Sequence, residues 1–297
     1  MESIYSSAQS TFSAPRAVDG VIASPLWSHA CSWDELAVPC DAFGTRRSVL
    51  DLERGWSERW TTSWRFGKAE VVRSVAGLGA LPLAGCRPWR PFGWRTKQRH
   101  RPGLESLIGT GRLHAFESLE EDRFLVALDF AGGLLELLPQ PFLLRFRAEG
   151  RWREHTPDFL AVTRGGRWLI DVRPAGRMDQ DDLMRFAASQ EAALAVGWRY
   201  TVVTGWRPHV ATNLDSLYSR RRAMTDPLGL KATLLKASQA PGSPFTFREL
   251  AVGSGIEAVA RAVLLHLLWH RQLGIDLSEP LEDRTVVWAA TVRGASA

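Results

Sequence analysis

In the stretch HTPDFLAVTRGGRWLIDVRP, His155 to Pro174, two acids stand at corresponding ends of two apolar runs. Asp158 opens the first run and Asp171 closes the second. Arg164-Gly165-Gly166 lies between the runs, and Arg173 follows the second acid. Directly opposed residues of an antiparallel hairpin share a face, with Cβ atoms roughly 5 Å apart. A loop of Arg164-Gly165 sets Asp158 opposite Asp171. A loop of Gly165-Gly166 sets Asp158 opposite Arg173, with Asp171 one pleat away on the same face. A three-residue loop sets Asp158 opposite Val172 and breaks the pair, barring a bulge. Two carboxylates this close repel unless a cation lies between them. Mg²⁺ suits them, being a hard ion that takes oxygen ligands and keeps waters and a substrate phosphate. The backbone of Val172 or Ile170 can add a carbonyl ligand. Each acid also has a bland explanation: a Pro-Asp turn for Asp158, and an ion pair with Arg173 for Asp171.

A third acid precedes them. In SLEEDRFLVALDF, Glu121 shares a helical face with Phe124, Leu125 and Leu128, which points it toward the sheet. Apolar company is costly for a carboxylate without a partner. The competing explanation is a capping box, Ser118-x-x-Glu121, which needs a glutamate for backbone reasons. Glu117 and Glu120 lie on other faces.

The elements that must position these acids can be read around them. Ser118 caps a helix, PFLLRFR alternates as a strand, and RWREHTPDFLAV and GRWLIDV form two more strands about a glycine turn. Asp179 opens a second helix with Leu183, Phe186, Ala187 and Leu194, closed by Gly197, and WRYTVVT is a buried strand. Helix, three strands, helix, strand implies a mixed sheet flanked by helices. Residues 1–45 are Ser/Ala/Pro-rich and expected to be partly disordered, and 46–82 to form a small accessory fold. A third region holds three helices and two short strands within IDLSEPLEDRTVVWA, the order of a winged helix-turn-helix. Its last helix, AVLLHLLW, is apolar nearly all round, with Arg261 and Arg271 as its strong cations. That composition suits a core-forming or protein-docking helix better than a groove-reading one.

The formal net charge is +5, and only Lys68, Lys97, Lys231 and Lys236 are lysines among 37 basic residues. Arginine therefore fills most cationic positions. The segment CRPWRPFGWRTKQRHRPG carries Arg90, Arg95, Lys97, Arg99 and Arg101 interleaved with Trp89, Phe92 and Trp94. Such a mixture tracks a phosphate backbone and stacks on bases, or forms a solvated loop packed on the domain below. Cys31, Cys40 and Cys86 make no disulfide framework, and free thiols are favoured over a zinc site with His29. The N-terminal residues lack the features of a signal peptide, and no apolar run reaches the ~18 residues of a membrane span. A location inside the cell, away from the membrane, is expected.

Glu121, then Pro157-Asp158, then Asp171-Val172-Arg173 resembles the acid pattern of PD-(D/E)xK nucleases. With PQPF, HTPDF, IDVRP, GWRYTVVT, the basic segment upstream and the winged-helix-like tail, the chain resembles TnsA-like endonuclease subunits of heteromeric transposases. The likeness spans about Arg87 to Val287, and the PDF and DVRP blocks are its specific parts. It implies an α/β restriction-endonuclease-like core, a mixed sheet flanked by helices, over 86–222. A C-terminal winged-helix-like α+β domain over 223–297 and a poorly defined N-terminal region over 1–85 complete it. It further implies Mg²⁺, with Mn²⁺ as a substitute, held by Glu121, Asp158, Asp171 and the Val172 backbone. DNA cleavage would fall on the 5′ strands of transposon ends, with His155 beside the site. The implied partners are DNA, a DDE transposase subunit and an AAA ATPase regulator, in the bacterial cytoplasm and at the nucleoid when DNA is bound. Arg173 departs from the lysine of the pattern: it can stabilise charge but not remove a proton. Two alternatives stay open, a non-catalytic DNA-binding or scaffold subunit and a stand-alone restriction or repair nuclease.

Overall fold

The computed structural model describes residues 24–90 and 102–290. Its architecture is mixed α/β with several sheets and helices. Strand β1 (Ala37–Pro39) is followed by β2 (Thr61–Phe66), β3 (Ala69–Ser74) and a hairpin of β4 (Gly103–Leu107) and β5 (Arg112–Phe116). Helix α1 (Leu119–Ala131) leads to β6 (Leu134–Pro139), β7 (Leu143–Ala148), β8 (Arg151–His155), β9 (Phe159–Thr163) and β10 (Gly166–Val172). Then come α2 (Gln180–Leu194), β11 (Arg199–Trp206) and α3 (Val210–Tyr218).

The central sheet runs β1-β11-β10-β9-β6, with β10 and β11 parallel and the other neighbours antiparallel. Strand alternation sorts its side chains. Phe159, Ala161 and Ile170 turn to one face and pack with Phe124, Leu125 and Leu128 of α1. Leu160 and Leu169 turn to the other, where Met184, Ala187 and Ala188 of α2 meet them. Both helices are therefore held by apolar faces whose loss is costly: emptying one buried Phe position costs about 3–5 kcal/mol. A second sheet, β3-β2-β7-β8, adds Trp64, Phe142, Leu144 and Phe146 to the core on the α2 side.

RWREHTPDFLAV is two strands in two sheets: β8 pairs with β7, and β9 with β6 and β10. Pro157 has no N–H to give a ladder, so the chain turns a corner there and leaves Asp158 just outside β9. LLELLP forms β6 although its apolar residues do not alternate. Residues 37–39, within the segment expected to be partly disordered, form β1 at the edge of the central sheet, and β2 and β3 of the expected accessory fold join β7 and β8 in the second sheet. Trp33 packs edge-on against Phe124 and Trp168, with ring centroids 5.5 and 4.9 Å away.

The C-terminal region contains α4 (Leu230–Ala237), β12 (Phe245–Thr246), α5 (Phe247–Gly253), α6 (Glu257–Trp269), β13 (Leu273–Gly274) and β14 (Val286–Ala289). Its strands form a sheet ordered β12-β14-β13. The last two strands were expected within IDLSEPLEDRTVVWA, yet β13 ends one residue before it. Val126, Ala127 and Phe130 on the back of α1 share a core with Leu264, Leu267 and Trp269 of α6. The packing is thus continuous across the boundary expected near residue 222. No helix among the described residues is long and apolar enough to cross a membrane.

Candidate active site

Thr163 pairs with Gly166, so the hairpin loop is Arg164-Gly165. Gly166 has φ +117°, a conformation that favours glycine, and the Thr163 hydroxyl accepts from the Gly165 N–H at 3.2 Å. This is the register that sends both acids to one face. The ladder ends at Phe159 and Ile170, one step short of Asp158 and Asp171. Freed from the ladder, Asp158 turns its Oδ2 to accept from the Val172 N–H at 2.8 Å.

Asp171 is 1% exposed. Its Oδ1 meets His155 Nε2 at 2.9 Å, and its Oδ2 accepts from the Tyr200 hydroxyl at 2.8 Å. Tyr200 sits beside Leu169 in the parallel ladder, which places it on the same face as Asp171. Burial, then the adjacent Asp171 carboxylate, holds the Tyr200 phenol well above its usual range, so it remains a donor. His155 leans edge-on against Phe186 of α2 at 6.0 Å. The ion pair between Asp171 and Arg173 that would have explained Asp171 away is not the one formed.

Glu121 is buried at the start of α1. Its backbone N–H donates to Ser118 Oγ at 3.2 Å, and its own carboxylate accepts from the Ser118 hydroxyl at 2.9 Å and the Glu117 N–H at 2.8 Å. The capping explanation is therefore present. The same carboxylate also lines a cleft of about 460 Å³ together with Asp158, Asp171, His155, Arg173 and Arg90. α1 covers the opposite face of the sheet from α2, so Glu121 reaches the cleft at the end of the sheet.

Electrostatics ties these acids together. Burial raises the Asp158 carboxyl well above the usual range, and the charges of Glu121 and Asp171 raise it further. Asp158 keeps some surface to the cleft, but protein packs densely round its carboxyl. Glu121 is also raised, first by burial, while the Glu117 N–H and Ser118 pull the other way.

The basic residues are placed less simply. Arg173 lines the cleft, but its guanidinium lies on Asp182, 3.0 Å from Nε to Oδ2. Arg90 approaches Glu117 at 3.6 Å. Arg95, Lys97, Arg99 and Arg101 lie outside the described residues. Arg177 and Arg185 also line the cleft, on the wall built by α2 and the turn before it. In the tail, Arg261 is clamped by Asp283 at 2.7 Å and Glu257 at 2.9 Å, and Arg271 donates to the carbonyls of Ala131 and Cys31.

Tyr200 and Asp182 were not among the candidates. A tyrosine two residues into a strand predicted to be buried was the available signal for the first. For the second the signal was an acid three residues after an N-cap Asp. Cys31 and Cys40 belong to separate cores.

The three acids fit a small divalent cation in kind, as hard oxygen donors around a cleft. As they stand, no group of three or more His, Cys, Asp or Glu side chains among the described residues could hold a metal ion. Each of these carboxylates turns an oxygen toward a protein donor. An ionised carboxylate has about four lone-pair directions, so those bonds leave acceptors over. The sequence matches no protein-family model and no curated protein.

Proposed function

We propose that this chain is a metal-dependent DNA endonuclease subunit of a heteromeric, TnsA-like transposase, with a restriction-endonuclease-like core that cuts the 5′ strands of transposon ends. The observation that carries the reading is the cleft lined by Glu121, Asp158 and Asp171, in which the charges of Glu121 and Asp171 raise the buried Asp158 carboxyl. Buried acids that repel are expensive for a fold, and a divalent ion relieves the repulsion. When bound, Mg²⁺ or Mn²⁺ polarises a phosphodiester and lowers the pKa of its water.

The chain's own residues have separable parts. Glu121, Asp158 and Asp171 would hold the ion, with Val172 contributing through its backbone. The Val172 N–H orients Asp158, and His155 and Tyr200 orient Asp171, as outer partners do around metal ligands. Arg173 donates to phosphate and stabilises developing charge; it keeps its protons at working pH and takes none from water. Arg90 and the segment carrying Arg95, Lys97, Arg99 and Arg101 would follow the DNA backbone. The C-terminal region, read as winged-helix-like, would meet protein. Val252, Ile256 and Val259 are exposed there while Arg261 is neutralised. A DDE transposase subunit and an AAA ATPase regulator are the proposed partners.

The test combines the chain, its transposase partner, transposon-end DNA and Mg²⁺ or Mn²⁺, and maps breaks on the 5′ strands. Asp158→Ala is expected to lower cleavage by at least ~100-fold. Breaks that persist in that variant would remove the assigned site. DNA binding without breaks in the wild-type mixture would favour a scaffold subunit, the reading that the pairing of Arg173 with Asp182 supports.

A further inference from the structure

The basic wall of the cleft is organised around one acid. Asp182, in the first turn of α2, is buried, whereas the Arg173 side chain keeps 43% of its surface exposed. Asp182 Oδ2 accepts from Arg173 Nε at 3.0 Å and lies 3.0 Å from Nη2, while Arg185 approaches Oδ1 at 3.5 Å. The same residue belongs to the capping box of α2: Asp179 Oδ1 accepts from the Asp182 N–H at 2.8 Å. Capping alone requires a backbone partner, not a guanidinium. One side chain thus joins a helix end, fixed by the core beneath it, to a cation in the cleft.

An ion pair with one exposed partner contributes little to stability in general. Its value here is geometric. The Arg173 N–H is pinned to the Val203 carbonyl at 2.9 Å, so backbone and head group are both tied. A guanidinium is a planar fork of five N–H donors. Asp182 occupies the edge formed by Nε and Nη2, and the remaining donors lie on other edges of the plane. Arg173 and Asp182 line the same cleft as Asp158 and Asp171.

We propose that Asp182 is a positioning residue: by holding one edge of Arg173, it presents the remaining donors to a phosphate seated over the acid cluster. This rests on the nuclease reading. The residue acts through Arg173 and does not itself touch substrate. Without it the fork would sample other rotamers, and a misplaced charge-stabilising group slows chemistry more than it weakens binding.

The test is a double-mutant cycle of Asp182→Asn and Arg173→Ala in the full chain. It is read on affinity for transposon-end duplex in Ca²⁺, and on the cleavage rate at saturating protein with Mg²⁺ and the partner subunit. Asn keeps a carbonyl for the helix cap but loses the charge that holds the guanidinium. Asp182→Asn is expected to bind DNA at least as tightly as wild type while cutting about 10-fold more slowly. Asp182→Glu is expected to recover part of the rate, and Asp182→Asn to have no further effect once Arg173 is Ala. Independent effects in the cycle, an unchanged rate, or a lower melting temperature without the split between binding and rate would overturn the proposal. If the wild type leaves the 5′ strands intact, the nuclease reading fails, and the cycle on duplex affinity still decides the positioning. An Asp182→Asn effect that appears only when Arg173 is present supports it, and additivity overturns it.

Discussion

Glu121 and Asp122 are neighbours on α1, yet they serve two acid clusters provisioned in different ways. On the side of Asp122, Glu105 is buried and comes with its own cation. Arg221 lies 3.1 Å from its carboxylate, the Tyr218 hydroxyl lies 2.8 Å from it, and the guanidinium sits 3.6 Å over the Tyr218 ring. The Tyr218 phenol is pushed up to about 12 by burial and by that carboxylate. On the side of Glu121, Arg173 pairs with Asp182 and Arg90 approaches Glu117, and no ion pair joins an arginine to Glu121, Asp158 or Asp171 among the described residues. The carboxylates of the cleft are left with N–H, O–H and imidazole partners. A fold that supplies its own cation is using acids as architecture. One that withholds it from acids in a cleft leaves charge compensation to something bound.

The contrast breaks most readily at Arg221. Arg221→Met strands a buried Glu105 charge and is expected to cost about 3–5 kcal/mol of unfolding free energy in urea denaturation. A loss below about 1 kcal/mol would mean that this cluster, too, does without its cation. A smaller effect is expected at Asp122, whose carboxyl is pushed up to about 6 by burial first and then by Glu105 and Asp215. The folded value lies above the unfolded one of about 3.9. Its contribution to stability is therefore complete below the lower value and lost as pH rises through about 6. Asp122→Asn should gain on the wild type by about 1 kcal/mol at neutral pH and lose that advantage in acid, the figure being reduced because the carboxyl is partly solvated. Urea midpoints at about pH 4 and about pH 7 check this, and a difference independent of pH would contradict it.

The hairpin was legible in the sequence because its register is local: Thr163 to Gly166 decides the face of Asp158 and Asp171. Glu121 was legible for a similar reason, since helical spacing alone put it beside Phe124, Leu125 and Leu128. What escaped depends on contacts between distant segments. Tyr200 reaches Asp171 only because β11 lies parallel to β10 after a crossover through α2. Asp182 meets Arg173 because α2 packs on that face; its place three residues after the N-cap Asp179 marks it as a capping acid and says nothing of the guanidinium. β1, three residues long, has no periodicity to detect and joins the sheet by pairing with Trp206 and Gly205. The partners of Arg261 and Arg271, Asp283 and the Ala131 carbonyl, lie on other segments and could not be read from the helix itself.

The affinity of the acid cluster for a divalent cation decides between these views most directly. Mn²⁺ can be titrated calorimetrically into the wild type and Asp158→Asn, in buffers of different ionisation enthalpy and at several pH values. Burial raises the carboxyls of Asp158 and Glu121, and the charges of Glu121 and Asp171 raise Asp158 further, so a cation must displace protons to bind. The expected result is binding with proton release, stronger as pH rises and lost in Asp158→Asn. Equal binding by the two proteins, or none by the wild type, would contradict it.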